Sequence, residues 1–359
     1  MKKLDLYIIK KFLGTFFFML SVIMSIAIVF DVSEKLEKFI KSNAPFNEVI
    51  LDYYVNFVFF YGNLFSSLLI FLSVLLFTSQ LAQRTEIVAI LASGVSFNRL
   101  LLPYFLGATV LVAGSLYFTH YQLPRANATR LEFENEYLKK QYRIKDNNLH
   151  RQYEEGSIAY FKSFSTVNNI GYKFSIENWD EDGDLRYKLM AERARYDSTT
   201  SKWKIENYYE RYITEEGERI ARGRSKDTLI ALAPSDFGQR LNIASTMVYD
   251  ELNNFIESER KKGSDKTVHY EIEKHQRTSF PFATYILTII GVSIASRKSR
   301  GGIGAHLAIG VLVAVTYIFA MKVTTVAATN AGLNPLLAVW LPNIFYFLVA
   351  IYFYFSAQK

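Results

Sequence analysis

The sequence predicts an α-helical membrane protein of six transmembrane helices, interrupted by one inserted all-β domain. Three observations carry that prediction. Half of the 359 residues are hydrophobic, with 29 Phe and 24 Tyr against 7 Pro, which argues against a disordered chain and against an ordinary soluble one. A mean hydropathy of only +0.07 then requires the apolar segments to share the chain with a sizeable polar domain. The charged residues are concentrated between Arg125 and Thr278, and beyond His150 the hydrophobic period there becomes alternating.

Lys2, Lys3, Lys10 and Lys11 precede the uncharged run Phe12 to Phe30. This run is too long for a signal sequence and ends in Asp31 without a small-residue cleavage site, so it reads as a retained first span with a cytoplasmic N-terminus. Lys35, Lys38 and Lys41 follow at spacings of three, on roughly one face of a helix continuing that span. Taken alone they describe an ordinary solvated helix end. A second span lies within Tyr53 to Leu81 and a third within Leu100 to Leu123, each long enough to cross about 30 Å of hydrocarbon.

The stretch between them, Leu81 to Gly94, reads LAQRTEIVAILASG and must sit at one membrane face. Its only charges, Arg84 and Glu86, stand near its start. Ile87, Ile90, Leu91 and Gly94 follow helical spacing, which predicts a short amphipathic helix lying at the surface. For an arbitrary membrane protein such a helix merely connects two spans.

In the polar middle, residues following the third span look like its helical extension. Beyond His150, alternation at Ile158, Tyr160 and Phe161, at Tyr172, Phe174 and Ile176, at Tyr187 and Leu189, at Trp203 and Ile205, and at Thr228, Ile230 and Leu232 predicts strands. Turn signals at Asn168-Asn169, Asp182-Gly183 and Glu216-Gly217 separate them, as in an antiparallel sandwich or an open barrel-like sheet. Met247 to Lys262 then returns to helical spacing, with Gly263 as its stop. Pro281 is expected to open a fourth span, closed by the basic cluster Arg297, Lys298 and Arg300. A fifth span over Gly301 to Met321 ends at Lys322, and a sixth runs from about Leu336 to Phe355, with Lys359 cytoplasmic. The domains are therefore 1–123, 124–278 and 279–359: three spans, an external β domain, three spans.

The chemistry of most enzymes is missing from this pattern. No glycine-rich loop ends in Gly-Lys-Ser or Gly-Lys-Thr, so the chain is not itself a P-loop ATPase. His269 and His275 lack the His-Glu-x-x-His arrangement of a zinc protease, and the sequence implies no cofactor or metal. Gly302, Gly304 and His306 resemble part of an intramembrane serine protease, but the Gly-x-Ser-x nucleophile turn is absent. The chain contains no cysteine, which excludes disulfides and Cys nucleophiles. A net charge of +7 is carried largely by residues crowding the ends of apolar runs, where they orient spans and meet anionic lipid rather than nucleic acid.

Several stretches together resemble the lipopolysaccharide export permeases of the LptF/LptG type. They are LAQRTEIVAILASG at Leu81 to Gly94, AERARYD and KWKI at Ala191 to Asp197 and Lys202 to Ile205, and PFATYILTIIGVSIASRKSRGG at Pro281 to Gly302. The pattern FDVSEKLEKFIK at Phe30 to Lys41 is more similar to the LptG branch. The resemblance implies a non-catalytic transmembrane subunit of an ABC exporter in a bacterial inner membrane, paired with a second permease of the same type. A cytoplasmic LptB-type ATPase dimer would supply hydrolysis, and a periplasmic β-jellyroll-like domain would pass lipopolysaccharide to LptC and LptA-type proteins. On this resemblance Arg84, Glu86, Ile87, Ile90, Leu91 and Gly94 form the ATPase-coupling helix, with Glu86 at the family's acidic position.

Lys35, Lys38 and Lys41 would meet lipid phosphates at a gate between the first and fifth spans. Lys322 either joins that basic rim or anchors the helix by snorkelling. Phe161, Tyr172, Phe174 and Trp203 either line an acyl groove or form an ordinary core. The alternative function is a membrane-anchored scaffold or receptor that binds a periplasmic partner without transport.

Overall fold

The computed structural model describes residues 3–138, 147–165, 168–237, 241–297 and 301–357. Lys2, Lys298, Arg300 and Lys359, which bear on the expected orientation, lie outside them. The first helix, α1 (Lys3–Lys41), runs unbroken through the first apolar stretch and its lysine-bearing continuation. A short turn, α2 (Phe46–Glu48), and a π-helical segment (Val49–Tyr54) lead into α3 (Val55–Leu64) and α4 (Ser66–Gln83). Then come α5 (Glu86–Ala92) and α6 (Phe97–Tyr117), the latter continuing through a π-helical turn into α7 (Leu123–Phe133). After the strands stand α8 (Pro234–Phe237), α9 (Tyr249–Lys261), α10 (Thr267–Ala295), α11 (Gly302–Ala331) and α12 (Pro335–Ser356). Six helices among the described residues are long and apolar enough to cross a membrane: those beginning at Lys3, Ser66, Phe97, Thr267, Gly302 and Pro335.

Three element boundaries differ from the sequence reading, each for a local reason. The second span is broken at Phe65, where ψ is 0° and the amide turns back to the carbonyls of Tyr61 and Asn63. Pro281 stands inside α10 instead of opening it. A proline removes one hydrogen bond and loosens its neighbours, and here Asn343 Nδ2 donates to the Ser279 carbonyl at 3.1 Å and Ser67 Oγ to that of Phe280 at 2.8 Å. Finally, α11 does not end at Lys322 but continues to Ala331, where Gly332 at φ 70° stops it.

The chain divides into two compact units, Met1–Leu138 with Ala244–Asp250 and Val268–Lys359, and Lys139–Ile243 with Glu251–Thr267. Within the helical unit, Phe12, Phe77 and Tyr104 stack at centroid spacings of 5.8 and 5.2 Å between α1, α4 and α6. Gly107 makes room for that stack, since a Cβ there would lie 2.6 Å from the Phe12 ring. A second cluster gathers Phe71, Leu75, Leu287, Ala314 and Val339 from α4, α10, α11 and α12. Tyr317 Oη donates to Asn343 Oδ1 at 2.8 Å, so the buried polar groups of α11 and α12 satisfy one another.

In the other unit β1 (Asn147–Glu154), β2 (Ser157–Ser165), β3 (Ile170–Trp179), β4 (Leu185–Asp197), β5 (Lys202–Thr214) and β6 (Gly217–Thr228) form one antiparallel sheet in sequence order. This is the open sheet of the two arrangements the turn signals allowed. Asn169, Gly183 and Gly217 take the left-handed turn positions, with φ of 51°, 82° and 132°. The expected strand over Thr228 to Leu232 is not formed; β6 ends at Thr228, and Leu232 instead packs into the core.

The core-facing rows of the sheet reveal a corner. One row pairs Phe161, Phe174, Ala191, Tyr208 and Gly223, and the next pairs Phe164, Gly171, Ala194, Ile205 and Lys226. In each of these strands the two rows are three residues apart, although side chains alternate with a period of 2. Two consecutive residues therefore turn outward in each of β2 to β6, and left-handed Lys173 (φ 52°) and Asn207 (φ 52°) absorb the slip in β3 and β5.

Glu210 and Lys226 lie on either side of this corner, joined at 2.6 Å, with Tyr187 Oη donating to the same carboxylate at 2.8 Å. Burial pushes the Glu210 carboxyl up, but the Lys226 and Tyr187 hydrogen bonds outweigh it and hold it below the ordinary glutamate value. The bond to Glu210 raises the Lys226 ammonium. The glutamate's contribution to stability is thus complete above its unfolded value and lost as pH falls through its lowered folded value. The lysine's is complete below its unfolded value and lost as pH rises through its raised one. Lys226→Met is expected to cost about 1–3 kcal/mol, because a nearly buried carboxylate loses its cationic partner. It should also move acid unfolding of the sheet to higher pH. Hydrogen exchange of β4 to β6 against pH checks both effects; an acid limb at the original pH would refute the pairing.

Candidate functional site

The Leu81–Gly94 stretch folds as an elbow and a short helix. Leu81 and Ala82 belong to the buried end of α4, the chain turns at Arg84 and Thr85, and α5 then covers Glu86–Ala92. Thr85 sits at φ 61°, a conformation a β-branched residue adopts at a cost on the order of 1–2 kcal/mol. Its hydroxyl bonds the Arg84 carbonyl at 2.6 Å and its carbonyl caps α5 through the Ala89 amide at 2.9 Å. Gly94 lies beyond the helix in a left-handed turn at φ 86° and is not part of its apolar face.

Amphipathicity is as the sequence reading had it, but the apolar face points inward. Ile87 is wholly buried, and Ile90 and Leu91 are half-buried against the cluster formed by Leu81, Phe97 and Leu100. What α5 leaves exposed is Arg84 at its elbow, then Val88, Ala89 and Ala92. Glu86 is half-buried and accepts a hydrogen bond from Tyr7 Oη of α1 at 2.9 Å. Close by in sequence, Arg99 of α6 forms a bidentate pair with the buried Asp5 of α1, at 2.7 and 2.8 Å. Both interactions tie the start of α1 to the region of the elbow. Neither Tyr7 nor Asp5 is signalled by the sequence, because their partners are 79 and 94 residues away.

The candidate lysines do not share one environment. Lys35 is turned inward, paired with Asp31 at 2.5 Å and bonded to Tyr53, whose hydroxyl and that of Tyr54 both donate to the same aspartate. Lys38 and Lys41 face outward, Lys41 forming an exposed pair with Glu37. Lys322 is exposed on α11 among the exposed apolar side chains Ile318, Phe319, Val323 and Val326. In the sheet, Phe161, Phe174 and Trp203 belong to the packed core, whereas Tyr172 is 47% exposed on the opposite face.

The partial resemblance to a serine protease has a structural counterpart, since Ser79 Oγ and His306 Nδ1 are 2.8 Å apart. Ser79 is fully buried and His306 is 5% exposed, so the pair is enclosed between α4 and α11 and offers no access to a substrate carbonyl. No curated protein matches the chain. The family model described as lipopolysaccharide export system permease LptF/LptG matches residues 6–355, which takes in the elbow, the lysines, the inserted sheet and all six apolar helices, and the chain belongs to that family.

Proposed function

We propose that the chain is a permease subunit, of the LptG rather than the LptF branch, that extracts lipopolysaccharide from the inner membrane under the drive of a separate ATPase. The family match over residues 6–355 supports the export role, which is the one the family implies, and the branch assignment rests on the pattern FDVSEKLEKFIK at Phe30 to Lys41. In the proposal both termini are cytoplasmic and the sheet is periplasmic. The α5 helix seats in a groove of an LptB-type ATPase dimer, presenting Arg84, Val88 and Ala92, with Glu86 as the charged contact. A second permease of the same family completes the cavity, and LptC and LptA-type proteins take the lipid onward.

Chemistry sets the demands on the path. Each acyl methylene leaving the bilayer costs about 0.8 kcal/mol unless an apolar surface receives it, so ATP-driven compression must hand the chains to protein and not to water. Lys38, Lys41 and Lys322 serve as point charges for the lipid phosphates, while Lys35 reaches them only by leaving Asp31.

Glu86→Ala tests the coupling contact. Losing one charge-assisted hydrogen bond of about 1.5 kcal/mol should weaken ATPase association about tenfold, with membrane insertion unchanged. Tyr7→Phe serves as the control that removes only the internal bond. Undiminished co-purification of the ATPase with Glu86→Ala would refute the assigned contact, and recovery of the unaltered chain without any ATPase would favour a scaffold.

A further inference from the structure

The helix that carries the elbow and the helix that carries Lys322 meet along a seam with a strict period. On α11, Gly302, His306, Gly310 and Ala314 recur every fourth residue, and on α4 so do Gln83, Ser79, Leu75 and Phe71. The rungs match in antiparallel order. A Cβ on Gly302 would lie 2.7 Å from Gln83 Nε2, His306 bonds Ser79 at 2.8 Å, and a Cβ on Gly310 would lie 2.1 Å from Leu75 Cδ1. Phe71 and Ala314 are buried in the same cluster.

These are rows of i±4 side chains facing one another, and they fit in one register. Sliding one helix past the other by a turn, about 5.4 Å, would drive Leu75 into His306 or Ala314 in place of Gly310. It would also break the buried hydrogen bond, leaving two polar groups unpaired in an apolar interior. The matched rungs therefore resist sliding of one helix past the other by a turn.

We propose that α4 and α11 move as one rigid pair, with His306 as the positioning residue of the seam. Displacement of the elbow then reaches Lys322, about 24 Å beyond His306 along α11 at 1.5 Å per residue, with no hinge between them. This rests on the reading of α5 as the contact that the ATPase drives.

The test uses the complete complex with its ATPase and partner permease in vesicles, reading ATP-driven release of lipopolysaccharide to a soluble acceptor. His306→Ala should lower release at least tenfold, with subunit recovery and ATP hydrolysis unchanged. His306→Asn, whose amide can still bond Ser79, should return it to within about threefold of the unaltered chain. Because the chain has no cysteine, Ser79→Cys with His306→Cys can be introduced cleanly. This pair should be poor in release when reduced and restored when oxidised, since a disulfide replaces the lost link.

An oxidised pair that blocks release would mean that the helices must slide, and His306→Ala releasing at the unaltered rate would mean that the seam transmits nothing; either overturns the proposal. Should the cysteine pair fail to assemble, Gly310→Leu alone should abolish release and Leu75→Gly with Gly310→Leu should restore it; no restoration counts against the seam. Failure of the underlying reading looks different: the unaltered complex would then contain no ATPase or release no lipid with ATP.

Discussion

Trp203→Ala is expected to destabilise the sheet severely while leaving the stability of the apolar helices unchanged. Trp203 is 1% exposed and central to the packed face, with ring centroids 5.5 Å from Phe161, 6.1 Å from Phe164 and 5.2 Å from Tyr196. Its indole Nε1 donates to the Leu232 carbonyl at 2.8 Å and so holds the segment that follows β6 against the sheet. Truncation to alanine removes the transfer energy, opens a cavity and orphans that carbonyl, about 3–5 kcal/mol together. Domains of this size hold about 5–15 kcal/mol in all, so such a loss is a large part of the total.

Trp203→Phe keeps most of the packing and loses the hydrogen bond, and should cost about 1–2 kcal/mol. Hydrogen exchange of the full chain in micelles separates the outcomes. Protection in β2 to β5 should fall by two or more orders of magnitude, with the slow amides of α4 and α10 unchanged. Equal loss in both units would mean that the sheet does not unfold on its own.

Much of this architecture was legible because membrane physics writes long signals. A span needs about 20 apolar residues, and a run such as Phe12 to Phe30 can hardly be read otherwise. The elbow was legible for a related reason, since two spans with a short charged stretch between them force a surface segment. Its facing was not. Ile87, Ile90 and Leu91 mark one side of a helix equally well whether that side meets a partner or the chain's own core, and here it meets the core.

The strands failed where burial is weak. β6 is an edge strand whose outward residues include Arg222 and Arg224, and charge on an edge is what keeps sheets from pairing with one another, so alternation fades there. The corner hid the rest, because a slip of one residue in each of β2 to β6 breaks any period-2 count.

Contacts between distant segments carried no signal in the sequence. Ser79 and His306 are 227 residues apart, and only a comparison of their four-residue repeats would have aligned them. The same holds for the clasp of Asp5 and Tyr7 on Arg99 and Glu86. The two arrangements converge on one feature: α1, which bears the outward lysines, and α11, which bears Lys322, are each bonded to the elbow or to the helix leading into it. On the proposed reading, a push at the elbow would reach both basic helices through these two contacts, the first exposed and the second buried.

The second large effect is expected at Glu134. Its carboxylate pairs with Arg130 within the α7 region, where the two side chains are 10% and 7% exposed. Arg130 also donates to Asn127 Oδ1 at 2.7 Å, and its guanidinium centre lies 4.6 Å from the Phe60 ring and 5.7 Å from that of Tyr61. Asn127 in turn donates to Ser245 Oγ at 2.7 Å, so the node joins α7 to α3 and to the segment before α9.

A buried pair of this kind adds little over a well-packed apolar pair, but removing one partner strands the other charge. Glu134→Ala should therefore cost about 3–5 kcal/mol, whereas Arg130→Met with Glu134→Leu should come within about 1 kcal/mol of the unaltered chain or exceed it. The exposed pair Lys41 and Glu37, with side chains 74% and 78% exposed, supplies the contrast, and Glu37→Ala should cost at most about 0.5 kcal/mol. Denaturant titration in mixed micelles ranks the variants. If Glu134→Ala proved no worse than Glu37→Ala, water would have to reach Arg130, and the node would not hold α7 against α3.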